Sequence, residues 1–224
     1  MIINLKLLVA TGFLGLAGSL GTYASASATL IDVFYKGVVI NGSSTDDLGL
    51  FGPAGGDLTG DAFVATFEMD TSKGTNYSTP TENYITGGTV YSTTSPMIGA
   101  TLEINGKSHT IDGSDNGTVQ SFLGQQGAAN QQYHGAADGA SNTISLNVSD
   151  AHGASVGNIP FTIDVPLDFV FTSSEIGGGS AYFHSGALAT SLSFGPTELI
   201  YQYPSPNSGR SPPPGPCCCW VSSG

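Results

Sequence analysis

The sequence predicts an all-β protein, an antiparallel two-sheet β-sandwich of jelly-roll-like type, and three observations predict it. Glycine is abundant, at 32 of 224 residues, while Lys plus Arg number only 5, a composition poor in helix formers. Several short segments alternate apolar and polar residues with the period of a strand, and no helical period lasts beyond about two turns. Turn chemistry such as Asn-Gly separates these segments. With 39% hydrophobic residues the chain is too apolar to be a disordered polyelectrolyte.

The elements follow in order. Leu30 to Ile40 is aromatic and β-branched and is expected to end at Asn41-Gly42. Asp46 to Gly60 reads as a long loop, unusually rich in apolar residues. From Asp61 to Met69 the residues Phe63, Ala65, Phe67 and Met69 share one face. Asn83 to Thr93 gives a weaker strand around Gly87-Gly88. Ala100, Leu102 and Ile104 alternate with polar residues, and Asn105-Gly106 then predicts a two-residue hairpin turn into Ser108–Ile111. Thr118 to Leu123 follows, and Gly124 to Ala140 is polar enough to read as a second long loop. In Thr143 to Val148 the residues Ile144, Leu146 and Val148 point inward. Pro160 to Phe171, Ala187 to Phe194 and Glu198 to Tyr203 complete about eight to ten strands, enough for two packed sheets.

Charge narrows the function. A net charge of −12 offers no basic surface to displace phosphate counterions, which excludes nucleic acid as a partner. Among His109, His134, His152 and His184 there is no H-x-x-x-H or H-E-x-x-H spacing, and no G-x-S-x-G elbow occurs. His109 and His184 read as sheet-surface residues, His134 and His152 as solvated loop residues. The residues point to no catalytic group, and the expected protein is not an enzyme.

The N-terminus has the three parts of an export signal. Lys6 supplies positive charge, Leu7 to Leu20 is apolar and shorter than the ~20 residues that span a bilayer, and Ala24-Ser25-Ala26 and Ala26-Ser27-Ala28 fit signal peptidase. Residues 1–28 are therefore expected to be a cleaved signal peptide and the protein to be secreted or held at the cell surface. Residues 29–203 form the expected β domain, and residues 204–224 a disordered Pro/Cys tail. The adjacent Cys217, Cys218 and Cys219 are the only cysteines, so no disulfide framework exists.

The genetic code gives this tail a second meaning. Read from the third base of each codon, the Cys-Cys and Cys-Trp steps from Cys217 to Trp220 each force Leu, and Trp220-Val221 forces Gly. Gly209 to Pro212 permits Pro-Glu-Pro. The shifted string resembles the PEP-CTERM sorting signal of exported bacterial proteins, a Pro-Glu-Pro motif followed by an apolar segment. The written frame holds no Pro-Glu-Pro, so the tail is either a frameshifted sorting signal or a genuine Pro/Cys end. The body resembles the same family: Asp46, Gly49, Phe51, Gly52, Gly55, Leu58, Gly60 and Phe63 match a D-x-x-G-x-F-G-x-x-G-x-x-L-x-G-x-x-F stretch common to its members. The resemblance implies a Gram-negative, polysaccharide-producing source and sorting by an exosortase to the surface or biofilm matrix. It implies no chemical activity.

Calcium is the best-motivated ligand in the residues themselves. Asp46, Asp47, Asp57 and Asp61 form a carboxylate-rich stretch that either holds Ca²⁺ between loop and strand or forms a solvated turn cluster. Asp112-Gly113-Ser114-Asp115-Asn116-Gly117 begins like an EF-hand loop, but Leu123 stands where the bidentate Glu belongs, and a polar hairpin turn is the favoured reading. The expected function is a non-catalytic surface or extracellular-matrix protein whose partners include exopolysaccharide. The alternative is a calcium-assisted carbohydrate-binding module with exposed Tyr or Phe stacking on sugars.

Overall fold

The structure is a computed structural model that describes residues 30–124, 130–150, 159, 163, 166–172 and 175–204. The expected signal peptide, His152, and the tail beyond Pro204 lie outside the described residues. Among the described residues the protein is all-β, with no helix long and apolar enough to cross a membrane and one 3₁₀ turn at Thr89–Tyr91. Its strands are β1 (Leu30–Asp46), β2 (Gly56–Asp57), β3 (Ala62–Asp70), β4 (Thr75–Ser78), β5 (Glu82–Gly87), β6 (Met97–Ile104) and β7 (Lys107–Asp112). There follow β8 (Asn116–Phe122), β9 (Gln131–Ala137), β10 (Thr143–Asp150), β11 (Leu167–Val170), β12 (Glu175–Ser185) and β13 (Leu188–Gln202).

Pairing is antiparallel throughout and runs through one ladder in the order β4-β5-β8-β9-β10-β12-β13-β1-β3-β6-β7, with β2 beside β1 and β11 beside β13. The expected two separate sheets are thus one hydrogen-bonded sheet. It cannot be flat. β1 and β9 are four steps apart in the ladder, about 19 Å at the usual strand spacing. Yet the rings of Tyr35 on β1 and His134 on β9 have centroids 5.5 Å apart. The sheet therefore curls so that inner faces of distant strands meet, driven by the need to cover its apolar side. Phe63, Phe67, Leu102, Leu146, Phe194 and Leu199 are among the side chains buried there, with Phe63 and Phe194 ring centroids 4.5 Å apart.

Asn105-Gly106 forms the expected turn between β6 and β7, with φ of 54° and 71° at the two residues, the left-handed pair a tight hairpin needs. A Cβ on Gly106 would meet nothing within 4 Å, so its replacement costs conformational energy alone. Gly106→Ala is expected to lower unfolding free energy by about 1 kcal/mol, read by urea denaturation.

Other boundaries differ from the sequence reading for local reasons. β1 continues past Asn41-Gly42, across a register irregularity between Ile40 and Thr45. The expected strands at Ala187–Phe194 and Glu198–Tyr203 are one strand, β13, that bends at a bulge opposite Lys36 and Gly37. β12 contains Gly177, Gly178 and Gly179, which hide a strand from propensity. The largest correction is in the second expected loop, Gly124 to Ala140. It contains β9, paired to β8 and β10 on both sides.

Candidate functional site

The sequence motif from Asp46 to Phe63 turns out to be a device for building the fold. Asp46 ends β1 with its side chain wholly buried. Its Oδ1 accepts from the Leu50 amide at 2.9 Å and the Thr190 hydroxyl at 2.9 Å. Its Oδ2 accepts from the Phe51 amide at 2.8 Å and the Gly52 amide at 2.7 Å. Burial pushes this carboxyl up, but the amides of Phe51 and Gly52, the Thr190 hydroxyl and the Leu50 amide more than reverse that, holding it below the usual range. The loop wraps its own backbone around one anion. Gly49, Gly55 and Gly60 carry φ of 68°, 75° and 91°, the left-handed turns that wrapping requires. Phe51 and Leu58 then drop into the core, Phe51 against Phe183 at a centroid distance of 6.0 Å.

The structure does not bring the four candidate calcium ligands together. Asp47 is exposed. Asp57 caps its own turn, accepting from the Thr59 hydroxyl at 2.6 Å and amide at 2.9 Å, and these bonds hold its carboxyl below the usual range. Asp61 accepts from the Asn105 amide nitrogen at 2.7 Å. Asp46 has two donors on each oxygen and no lone-pair direction left for a cation. Among the described residues no three His, Cys, Asp or Glu side chains converge as a metal group. In the EF-hand-like segment Asp112 accepts from the amide and hydroxyl of Ser114, Asp115 accepts from the Thr89 hydroxyl, and Asn116 opens β8. That segment is built as a polar turn.

His134 is not a solvated loop residue. It is fully buried on the inner face of β9, between two tyrosines. The Tyr35 hydroxyl lies 2.8 Å from Nδ1 and the Tyr201 hydroxyl 3.0 Å from Nε2. Tyr201 donates to Gln132 Oε1 at 2.8 Å, and Gln132 Nε2 donates to Ser121 at 3.0 Å. This order fixes the tautomer: Tyr201, having given its proton to Gln132, accepts from Nε2–H, and Nδ1 accepts from Tyr35. Desolvation pushes the imidazole down to about 3, so it is neutral at pH 7. Burial likewise holds the Tyr35 phenol well above its usual value, with Tyr201 and Tyr133 adding to it. A neutral, fully bonded His is a core element, with no water-exposed atom to offer a substrate. His184 is half-buried on β12, whereas His109 is half-buried on the core-facing side of β7, opposite the buried Leu102 and edge-on to Phe183 at 4.7 Å, rather than on the sheet surface.

The outer face of the same strands has a different chemistry. Register aligns Thr86, Thr118, Gly135, Ser145, Ser180 and Ser193 in one rung across β5, β8, β9, β10, β12 and β13. Thr86 and Thr118 hydroxyls are 3.1 Å apart, and those of Ser145 and Ser180 3.5 Å. One neighbouring rung is Asn116, Ala137, Thr143, Tyr182 and Ser191; the other is Tyr84, Gln120, Tyr133, Asn147 and Gly178. None of these side chains carries charge at pH 7, in a chain of net charge −12. A groove of about 200 Å³ lies on this face over β8, β9 and β10, lined by Asn116, Thr118, Tyr133, Gly135, Thr143 and Ser145 together with Ala136 and Ala137.

Its floor exists because residue 135 is glycine. A Cβ there would sit 2.5 Å from the Tyr133 hydroxyl oxygen and 3.0 Å from its Cζ, so the phenol lies down over the Gly135 backbone. Desolvation raises the Tyr133 phenol, against a hydrogen bond from Ser145 that lowers it and the nearby Tyr91 phenol that raises it further. Tyr91 belongs to the 3₁₀ turn, which is pinned by Thr89 N to Ser114 O at 3.1 Å and Val90 N to Asp115 O at 3.2 Å. The turn therefore lies beside the start of β8. Carboxylates at the border are engaged: Glu82 by Gln120, Asp138 by Ala140 and Asn142. The outward Thr143, Ser145 and Asn147 are visible in sequence as the polar half of an alternating strand. Tyr133 was hidden in a segment that reads as loop, and alignment into a rung is a property of register alone. No family model, curated protein or solved structure matches the chain.

Proposed function

We propose that this is an exported, non-catalytic cell-surface or extracellular-matrix protein of the exopolysaccharide-associated PEP-CTERM type, and that its curled sheet acts as a sandwich-type scaffold for a neutral binding face. The observation that carries the reading is the uncharged hydroxyl rung from Thr86 to Ser193, set on the outside of an acidic protein. Hydroxyl side chains donate and accept, as sugar hydroxyls do, and they lose little on desolvation compared with carboxylates. Three fully buried ionisable groups of the described chain, Asp46, His134 and Tyr35, are engaged in hydrogen bonds that build the fold. A calcium-assisted module would need Asp46 oxygens that four donors already occupy.

The export signal and the family resemblance supply the destination. In an exosortase-bearing, exopolysaccharide-producing Gram-negative host carrying the gene with the Pro-Glu-Pro frame restored, the protein is expected in surface and matrix fractions. Recovery from the cytosol alone would overturn the proposal.

A further inference from the structure

Resting on that reading, we infer that the groove over β8, β9 and β10 is a binding site for a neutral polysaccharide chain, with Tyr133 as its stacking platform and the Thr118–Ser145–Ser180 rung as its hydrogen-bonding track. The occupant follows from the chemistry of the face. A polyanionic glycan or nucleic acid is repelled by a protein of net charge −12. A basic protein finds no carboxylate among the three rungs to pair with. A conventional protein interface wants a desolvated apolar centre, and here the only aliphatic side chains of the lining are those of Ala136 and Ala137, among Asn116, Thr118, Thr143 and Ser145. What remains is a chain rich in hydroxyls and free of charge.

The geometry suits such a chain. The rung spans five strand spacings from β5 to β13, about 24 Å, room for several consecutive sugars. Tyr133 lines the groove with the hydroxyl end of its ring over Gly135, and an aromatic face attracts the slightly positive C–H side of a pyranose. The equatorial hydroxyls of that sugar then meet Asn116, Thr118, Thr143 and Ser145, whose amide and hydroxyl groups supply both donors and acceptors.

The test is affinity electrophoresis of the full chain in native gels containing dextran, mixed-linkage β-glucan, galactomannan or, as the polyanion, alginate. At least one neutral polysaccharide is expected to retard the protein and alginate is not. Tyr133→Ala should weaken retardation roughly tenfold, and Tyr133→Phe should keep most of it, because stacking needs the ring and not the hydroxyl. Circular dichroism of both variants separates loss of the site from loss of fold. Retardation by none of the neutral polymers, retardation by alginate alone, or retardation unchanged in Tyr133→Ala would overturn the site. Those failures leave matrix location intact, whereas cytosolic recovery in the fractionation would remove the reading beneath it.

Discussion

Asp46→Ala is expected to destabilise the protein by about 4 kcal/mol and Asp46→Asn by about 2–3 kcal/mol, measured by urea denaturation at pH 7. Alanine leaves the amides of Leu50, Phe51 and Gly52 facing a buried space without an acceptor. Asparagine does better. Its oxygen can replace Oδ2 for Phe51 and Gly52, and its NH₂ can donate to Thr190 Oγ1, leaving the Leu50 amide unmet and the charge gone. The pH dependence has a definite sign. The carboxyl is held lower in the folded protein than in the unfolded chain, so its contribution is complete above the ordinary carboxyl range near pH ~4. It is lost as pH falls through the folded value, and the difference between wild type and Asp46→Asn should shrink over that acid window. A gap between them that stays constant down to full protonation would contradict the caged-anion description.

His134→Leu is expected to cost about 3 kcal/mol at pH 7, because it deprives the Tyr35 hydroxyl of its acceptor inside the core. Tyr35→Phe combined with His134→Leu should cost less than the sum of the single changes, since the double variant leaves fewer buried polar atoms stranded. Here the pH window is different. The folded imidazole titrates at about 3 against ~6.5 for an unfolded His, so the unfolded state binds more protons between those values. Stability from this group is complete above pH ~6.5 and is lost on acidification toward pH ~3, by up to about 1.4 kcal/mol per pH unit. The Leu variant should lack that slope, and a calorimetric series from pH 7 to pH 4 reads it. Equal slopes in the two proteins would mean that His134 reaches water.

What could be read in the sequence was whatever depends on neighbours along the chain. Phe63 to Met69 alternates because one face of β3 is buried, and the Asn105-Gly106 turn is local chemistry. β9 was not legible: Gln132 and His134 face inward, polar residues that the core tolerates because Tyr201, Tyr35 and Ser121 arrive from strands distant in sequence. The same holds for β12, whose glycines pair normally once β10 lies beside them. Joining two expected sheets into one curled ladder was equally a matter of partners, with β13 linking β12 to β1. The acidic motif was legible as a pattern but not as a purpose. Its aspartates resemble cation ligands until the loop's own amides are seen around Asp46. The neutral face was half visible, in the outward Thr143, Ser145 and Asn147, and became a site only when register set them beside Thr118, Tyr133 and Ser180.

These observations divide the described molecule into buried ionisable groups that build the fold and an uncharged outer face, which we propose as the surface that meets the matrix. The direct test is retardation of the full chain by a neutral polysaccharide, measured once with excess calcium and once with excess chelator. Equal retardation in the two gels is predicted, because the three rungs contain no carboxylate and Asp46 is already saturated by hydrogen bonds. Retardation that appears only with calcium would contradict the division and return the role to Asp46, Asp47, Asp57 and Asp61.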